Sequence, residues 1–346
     1  MKDTMKAARL YGVGDLRVVT VEVPDITDDE VLVRVKAAAI CGTDVRMINN
    51  GISEDLYPLT LGHEFSGTIE KLGANVKGYT VGQRVTVAPN IGCGICDLCI
   101  SGNSHHCKKL TTIGLSLDGG FAEFVKVPAA AIINGNITPL DDNVSFEAAA
   151  ANEAFACVMN SFERYGVHPG ETVLIIGAGA IGMMHAALAF MSGAYKVILN
   201  DLSEDRLKKC KELEPRLITA IGDPAGTVNA ETGGNGVDVV ITACSVASVQ
   251  EAAPSYSALN GRVNFFGGLP KGKTANLDTN IIHYKQLLVS GTTRSSHEQF
   301  RKTLDFIAKK LVDVDSLVTH RFPIDEIDQA IENASKQQGL KQAVVF

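Results

Sequence analysis

The sequence predicts an α/β protein with a β-rich N-terminal domain, a parallel-sheet domain, and a C-terminal segment that returns to the first domain. Three observations predict it. Up to about residue 148, short apolar runs at 16–23, 31–39, 65–72 and 84–88 are separated by Gly, Asp, Asn and Pro, the pattern of strands joined by turns. Beyond that point, strand-like runs at 172–176, 196–200, 238–242, 262–266 and 286–290 alternate with stretches at 181–192 and 203–213 whose apolar spacing suits helices. Such alternation means βαβ units and a parallel sheet. Helical stretches at 298–311 and 324–337 follow, and the closing KQAVVF reads as a strand that must join a sheet elsewhere. The expected boundaries are therefore 1–148, 149–290 and 291–346, and no repeats or low-complexity tracts interrupt them.

Composition narrows the function classes. Of 346 residues, 45% are hydrophobic and 21% charged, with a formal net charge of -7. An acidic surface of this kind repels phosphate backbones, which excludes nucleic acid as an expected partner. No apolar run reaches the roughly 18 residues of a membrane helix. The opening MKDTMKAARLYGVGDLRV lacks the apolar core of a signal peptide, so a cytoplasmic location is expected. Among eight cysteines, Cys93, Cys96, Cys99 and Cys107 cluster while Cys41, Cys157, Cys210 and Cys244 stand singly. In a reducing compartment such a cluster points to metal thiolates rather than disulfides.

The segment VLIIGAGAIG places Gly177, Gly179 and Gly182 in G-x-G-x-x-G spacing, after a β-branched strand and at the start of an apolar helix that Ala180 and Ile181 open. The glycines supply a tight turn, close approach of backbone to a pyrophosphate, and close helix–strand packing. The helix N-terminus adds unpaired N–H groups for the phosphates. Asp201 ends the next strand, KVILND, about 20 residues on, where an acid accepts hydrogen bonds from the adenosine ribose and repels a 2′-phosphate. This favours NAD over NADP. Arg206 lies close enough in sequence to receive a 2′-phosphate, to cover the adenine, or to face solvent.

The run GCGICDLCISGNSHHC spaces Cys93, Cys96, Cys99 and Cys107 as C-x2-C-x2-C-x7-C. Four thiolates this close can close a tetrahedral shell, which means structural zinc. An iron–sulfur cluster is the rival, although a ferredoxin run would bring its fourth cysteine sooner and follow it with proline. His105 and His106 are expected to be solvated loop residues rather than ligands. Separately, AAAICGTDVRM offers Cys41 and LTLGHEFSG offers His63 and Glu64. A thiolate, an imidazole and a carboxylate form an incomplete shell whose open position can take water or an alcohol.

Taken in order, ICGTD, LGHEFSG, VGQRV, the four-cysteine lobe, DGGFAEF and VLIIGAGAIG resemble the zinc-dependent medium-chain alcohol dehydrogenases over the whole chain, with the sorbitol, or polyol, branch nearest. The resemblance implies a GroES-like catalytic domain (1–148) whose lobe at 93–107 binds structural zinc. It also implies a Rossmann domain (149–290) inserted before the C-terminal return, and an active site in the cleft between the domains. It implies two zincs per chain, the catalytic one held by Cys41 and His63. Glu64 is then a direct ligand or the partner of a bound water, and Asp44 fixes the tautomer of His63. Glu153 falls where polyol dehydrogenases carry a glutamate ligand, with Cys157 the competing choice.

By the same resemblance Thr43 is the hydroxyl that relays the departing proton. Arg46 stands where several members have a histidine, and a guanidinium does not shuttle protons. The implied reaction moves a hydride between a secondary alcohol and NAD. Sorbitol-like polyols, cyclitols and phosphorylated polyols are candidate substrates, the last because of Arg46 and Arg294. L-threonine 3-dehydrogenase is the alternative within the family, and a zinc-ribbon binding module or a zinc-free relative lies outside that activity. A homo-tetramer or homo-dimer through the Rossmann sheet edge is implied as well.

Overall fold

The computed structural model describes residues 3–346. The chain forms two compact units, one of residues 1–156 with 294–346 and one of residues 157–293. Among the described residues no helix is long and apolar enough to cross a membrane.

The first unit is built on a seven-stranded sheet. Its central path runs Ile137–Pro139, Arg84–Val87, Glu64–Leu72, Val31–Ala39, Lys341–Val345 and Val318–Pro323, and Phe124–Val127 also pairs with Val31–Ala39. A three-stranded sheet of Asp15–Glu22, Thr4–Gly12 and Leu59–Thr60 lies beside it. The C-terminal strand thus adds antiparallel to Val31–Ala39, pairing Ala343 with Ala39.

Strand Val31–Ala39 shows how sequence sets up the site. Val31, Val33 and Val35 face the main core with Phe65, Ile69 and Val85, while Leu32 faces a second cluster with Phe124. A bulge between Val35 and Ala37 then exchanges the faces. Ala38 and Ile40 continue the main core, and Ala37 and Ala39 instead meet Ala150 and Phe146. Those small side chains admit helix Phe146–Tyr165 close to the sheet. Hydrogen bonds from Ser66 Oγ to the Phe146 carbonyl (2.5 Å) and from Thr86 Oγ1 to the Ala149 carbonyl (3.1 Å) secure it there.

The second unit carries a six-stranded parallel sheet in the order Ile218–Ile221, Lys196–Asp201, Thr172–Ile176, Val237–Thr242, Ser257–Phe265 and Leu288–Gly291. Thr172–Ile176 is buried along its whole length, as a strand covered on both faces must be. The strand order reverses between Thr172–Ile176 and Val237–Thr242, and dinucleotides bind at the carboxyl ends of strands at such a switch point. Two helices of this unit, Ala180–Met191 and Glu204–Leu213, match the expected periodicity, and Ser203 caps the second by accepting from the Arg206 N–H. Ile218–Ile221, absent from the sequence reading, is an edge strand of four residues with alternating exposure.

His185, on the first of these helices, is fully buried. Its Nδ1 lies 2.9 Å from the Tyr165 hydroxyl, and its ring meets Phe266 edge-on at 5.0 Å. Burial depresses its pKa to about 3, so the folded ring stays neutral while the unfolded chain takes up a proton below about pH 6.5. Stability therefore falls as pH drops through that window, by about 1.4 kcal/mol per unit. His185→Gln keeps a partner for Tyr165 without titrating. Between pH 7 and pH 5 the wild-type chain should lose about 2 kcal/mol relative to this variant in urea unfolding. Parallel pH profiles for the two would remove this role.

Candidate active site

Cys41 continues Val31–Ala39 in extended conformation and is the N-cap of helix Gly42–Asn50. Because side chains alternate along extended backbone, Cys41 lies on the face of Ala39. Glu64 opens the neighbouring strand directly opposite Ala39 and so shares that face. His63 precedes it, reached through Gly62 at φ +93°, where a Cβ would stand 2.8 Å from the Phe121 nitrogen. One face of the sheet therefore collects a thiolate, an imidazole and a carboxylate. The ligand atoms of Cys41, His63 and Glu64 all lie within 4.8 Å of one another.

Asp44, fully buried, ties this corner together. Its Oδ2 accepts from the Cys41 N–H at 2.8 Å, and its Oδ1 stands 3.4 Å from His63 Nδ1. With Nδ1 turned to a carboxylate, Nε2 is the nitrogen left for a metal. Burial opposes a charge on His63, but the Asp44 carboxylate and the Cys41 thiolate raise its pKa well above the ordinary value. This pocket attracts a cation. Glu153 is buried on helix Phe146–Tyr165 and stands outside the 4.8 Å group. Its charge nevertheless acts on Lys341, as do those of Glu64 and Cys41.

Lys341 is the member that sequence reasoning missed. It is buried, and its Nζ lies 2.9 and 2.7 Å from the two Glu64 carboxylate oxygens. Its one signal in the sequence is a lysine opening the terminal strand KQAVV. Thr43 Oγ1 accepts from Arg46 Nη2 at 3.0 Å. That bond occupies a lone pair of the hydroxyl and leaves its O–H to donate elsewhere.

In the lobe, Cys96 Sγ lies 3.5 Å from Cys99 Sγ and 3.8 Å from Cys107 Sγ, and Cys93 Sγ lies 4.0 Å from Cys99 Sγ. Zinc–sulfur bonds of about 2.3 Å in a tetrahedron put sulfurs about 3.8 Å apart. The spacing fits one zinc ion, leaves no room for a multi-iron cluster, and is far too long for a disulfide, near 2 Å. Backbone N–H groups of Ile95 and Cys96 pull the Cys93 thiol down to about 6, toward the thiolate that a metal requires, while burial pushes the neighbouring Cys99 thiol up to about 11. His105 departs from expectation: it is buried, its ring centroid lies 4.2 Å from that of His106 with the planes tilted by 48°, and its carbonyl accepts from Arg294. The lobe is thus pinned to residues of the C-terminal return.

In the second unit, Gly177 has φ +121°, and a Cβ on Gly182 would lie 2.0 Å from the Gly177 carbonyl. Only glycine permits this turn into the helix that Ala180 and Ile181 begin. Asp201 Oδ2 accepts from the Ala178 N–H at 2.7 Å and Oδ1 from the Ser203 N–H at 2.9 Å, so the carboxylate is fixed beside the turn. Arg206 Nη1 stands 3.8 Å from Asp201 Oδ2, and its Nη2 would sit 2.9 Å from a Cβ on Gly179. Cys210 is buried, and its thiol is pushed up to about 12 by that burial, which leaves it inert.

Residues 27–137 match the alcohol dehydrogenase GroES-like domain and residues 180–309 the zinc-binding dehydrogenase family. The chain belongs to the zinc-dependent medium-chain alcohol dehydrogenases. It is 34% identical to L-threonine 3-dehydrogenase of Bacillus licheniformis, over 94% of each chain. It is 31% identical to sorbitol dehydrogenase of Bacillus subtilis, over 95% of this chain and 93% of that one. Among solved structures, a zinc-binding dehydrogenase of Sinorhizobium meliloti bound to NADP superposes with a TM-score of 0.88 at 31% identity, covering both chains fully. As a member, this chain is an oxidoreductase that uses zinc and a nicotinamide dinucleotide on a small-molecule substrate.

Proposed function

We propose that this dehydrogenase oxidises a secondary alcohol carrying a vicinal polar group, a polyol or sugar alcohol first, to the ketone with NAD as hydride acceptor. The convergence of Cys41, His63 and Glu64 within 4.8 Å carries the reading. Cys41, His63 and Glu64 are the residues that would hold the catalytic zinc, with Glu153 of helix Phe146–Tyr165 as the further carboxylate. A glutamate in place of a second thiolate makes a harder metal site that suits two oxygens of a vicinal diol. Zinc, when bound, supplies Lewis acidity that makes an alcohol ionisable near neutral pH and has no redox chemistry of its own, so the electron pair passes to the nicotinamide. Asp44 holds His63 in the required tautomer. Thr43, with its acceptor side engaged by Arg46, presents its hydroxyl to the departing proton. Cys93, Cys96, Cys99 and Cys107 hold the second zinc and stiffen the lobe.

The similarity to threonine 3-dehydrogenase favours a second reading, L-threonine, whose 3-hydroxyl also has a polar neighbour. A panel of sorbitol, other hexitols and pentitols, a polyol phosphate, L-threonine and simple secondary alcohols, followed by absorbance of the reduced cofactor, tests both. A kcat/KM highest on polyols supports the first reading and highest on threonine the second. A preference for simple alcohols would reject both.

NAD is favoured because the fixed Asp201 carboxylate meets the ribose edge of the turn, whereas Arg206 is already drawn toward that carboxylate. Asp201→Asn should move the NADP-to-NAD ratio of kcat/KM toward NADP by about tenfold or more. An unmoved ratio would take Asp201 out of cofactor choice. A dimeric or tetrameric assembly is supported by the edge strand Leu288–Gly291, with Leu288, Leu259 and Tyr284 exposed near it in the sheet and its flanking helix.

A further inference from the structure

Two further loops stand at the carboxyl edge of the parallel sheet. One, of residues 243–246, follows strand Val237–Thr242, and the other, of residues 266–268, follows Ser257–Phe265. The strand order decides which end of a dinucleotide they serve. Asp201 ends Lys196–Asp201 and the glycine turn follows Thr172–Ile176, so the adenosine half belongs to that side of the switch point. The nicotinamide half then falls to the ends of Val237–Thr242 and Ser257–Phe265, next in the sheet. With strands about 4.8 Å apart, the end of Ser257–Phe265 stands about 14 Å from that of Lys196–Asp201. That distance is on the scale of an extended dinucleotide.

Residues 266–268 are fixed by several elements at once. The Phe266 ring meets His185 edge-on at 5.0 Å. The Gly267 N–H donates to the Thr242 carbonyl at 3.0 Å, and a Cβ on Gly267 would stand 2.2 Å from the Cys244 carbonyl oxygen. The two loops therefore lie backbone against backbone. The Gly267 carbonyl accepts from Gln250 Nε2 at 2.7 Å. Gln250 belongs to the short helix Ala247–Ala252 and is buried. The adjacent Glu251 accepts from the Asn276 N–H at 2.8 Å, so one helix holds the chain at two points beyond the strand. A Cβ on Gly268, by contrast, would meet nothing within 4 Å. The loop is thus held at Gly267 and bare at Gly268, where backbone without a side chain can approach a ligand closely. Glutamine suits the holding position because it donates to a carbonyl without bringing a charge into a buried place, whereas a carboxylate would only accept.

We propose that Gln250 is a positioning residue for the nicotinamide end of the cofactor. It sets the Gly267 peptide, and with it the loop edge at Gly268 that receives that end. The proposal rests on the dinucleotide occupying the turn of Gly177, Gly179 and Gly182.

Titration calorimetry of the full chain with NAD and with ADP-ribose, which lacks only the nicotinamide, tests it. Gln250→Met keeps a flexible side chain of similar volume and loses the donor. Gln250→Glu keeps the shape and exchanges the donor for an acceptor. Both variants should raise the Kd of NAD about tenfold and leave that of ADP-ribose within about twofold of the wild type. In turnover, the KM for NAD should rise by a similar factor with a smaller change in kcat. Agreement between two variants of unlike polarity separates the lost donor from disturbed packing. Equal weakening of both ligands would assign Gln250 to the fold of the unit, and unchanged NAD binding in both variants would free the loop from its control. Either result overturns the proposal. A wild-type chain that binds neither NAD nor ADP-ribose would instead reject the occupied glycine turn itself.

Discussion

Cys41→Ser should lower kcat/KM by about 10³-fold or more while leaving the fold intact. Ligand chemistry sets the size of the effect. Cys41 provides the thiolate of the proposed shell, and a hydroxyl at the same position stays protonated and binds zinc poorly. Cys41 is a helix N-cap whose backbone N–H bonds Asp44, so serine, a good capping residue, keeps the local structure. Zinc content should drop from about two to about one per chain, because Cys93, Cys96, Cys99 and Cys107 form a separate closed group. Full activity in the serine variant would mean that the catalytic metal is held elsewhere.

Gly182→Ala should abolish dinucleotide binding, raising its dissociation constant by about 100-fold or more, with zinc content unchanged. The new Cβ would stand 2.0 Å from the Gly177 carbonyl and 3.4 Å from Leu199. The first contact is with backbone, so a side-chain rotation cannot relieve it, and the turn has to open. The helix N-terminus then moves away from the place where the pyrophosphate meets its N–H groups. Gly226→Ala in the same unit is the control, because a Cβ there meets nothing within 4 Å and alanine favours a helix. Equal cofactor affinities in the two variants would contradict the assigned turn.

These two sites were legible in the sequence for different reasons. The glycine turn is local: strand, turn and helix are contiguous, and Asp201 follows at a fixed interval. The four-cysteine lobe is local in the same way, and its tetrahedral spacing follows from ligands within fifteen positions of one another. Cys41 and His63 were found through their motifs, but what unites them is sheet register, which no periodicity encodes. The bulge between Val35 and Ala37, which turns Cys41 toward the face of Glu64, leaves no mark in an apolar run.

Lys341 shows the limit most clearly. It lies 277 positions from Glu64, and nothing in its neighbours distinguishes a buried cation from one on a solvated strand end. His105 fails in the opposite sense, since a polar loop composition suggested exposure while the folded lobe buries it. Ile218–Ile221 escaped because an edge strand of four residues is too short to show its alternation.

Crystals of the purified chain, measured on either side of the zinc absorption edge, test the central claim most directly. The account predicts two anomalous peaks per chain, one enclosed by Cys93, Cys96, Cys99 and Cys107 and one bonded to Cys41, His63 and Glu64. A single peak in the cysteine lobe, from protein that is active in solution, would contradict it.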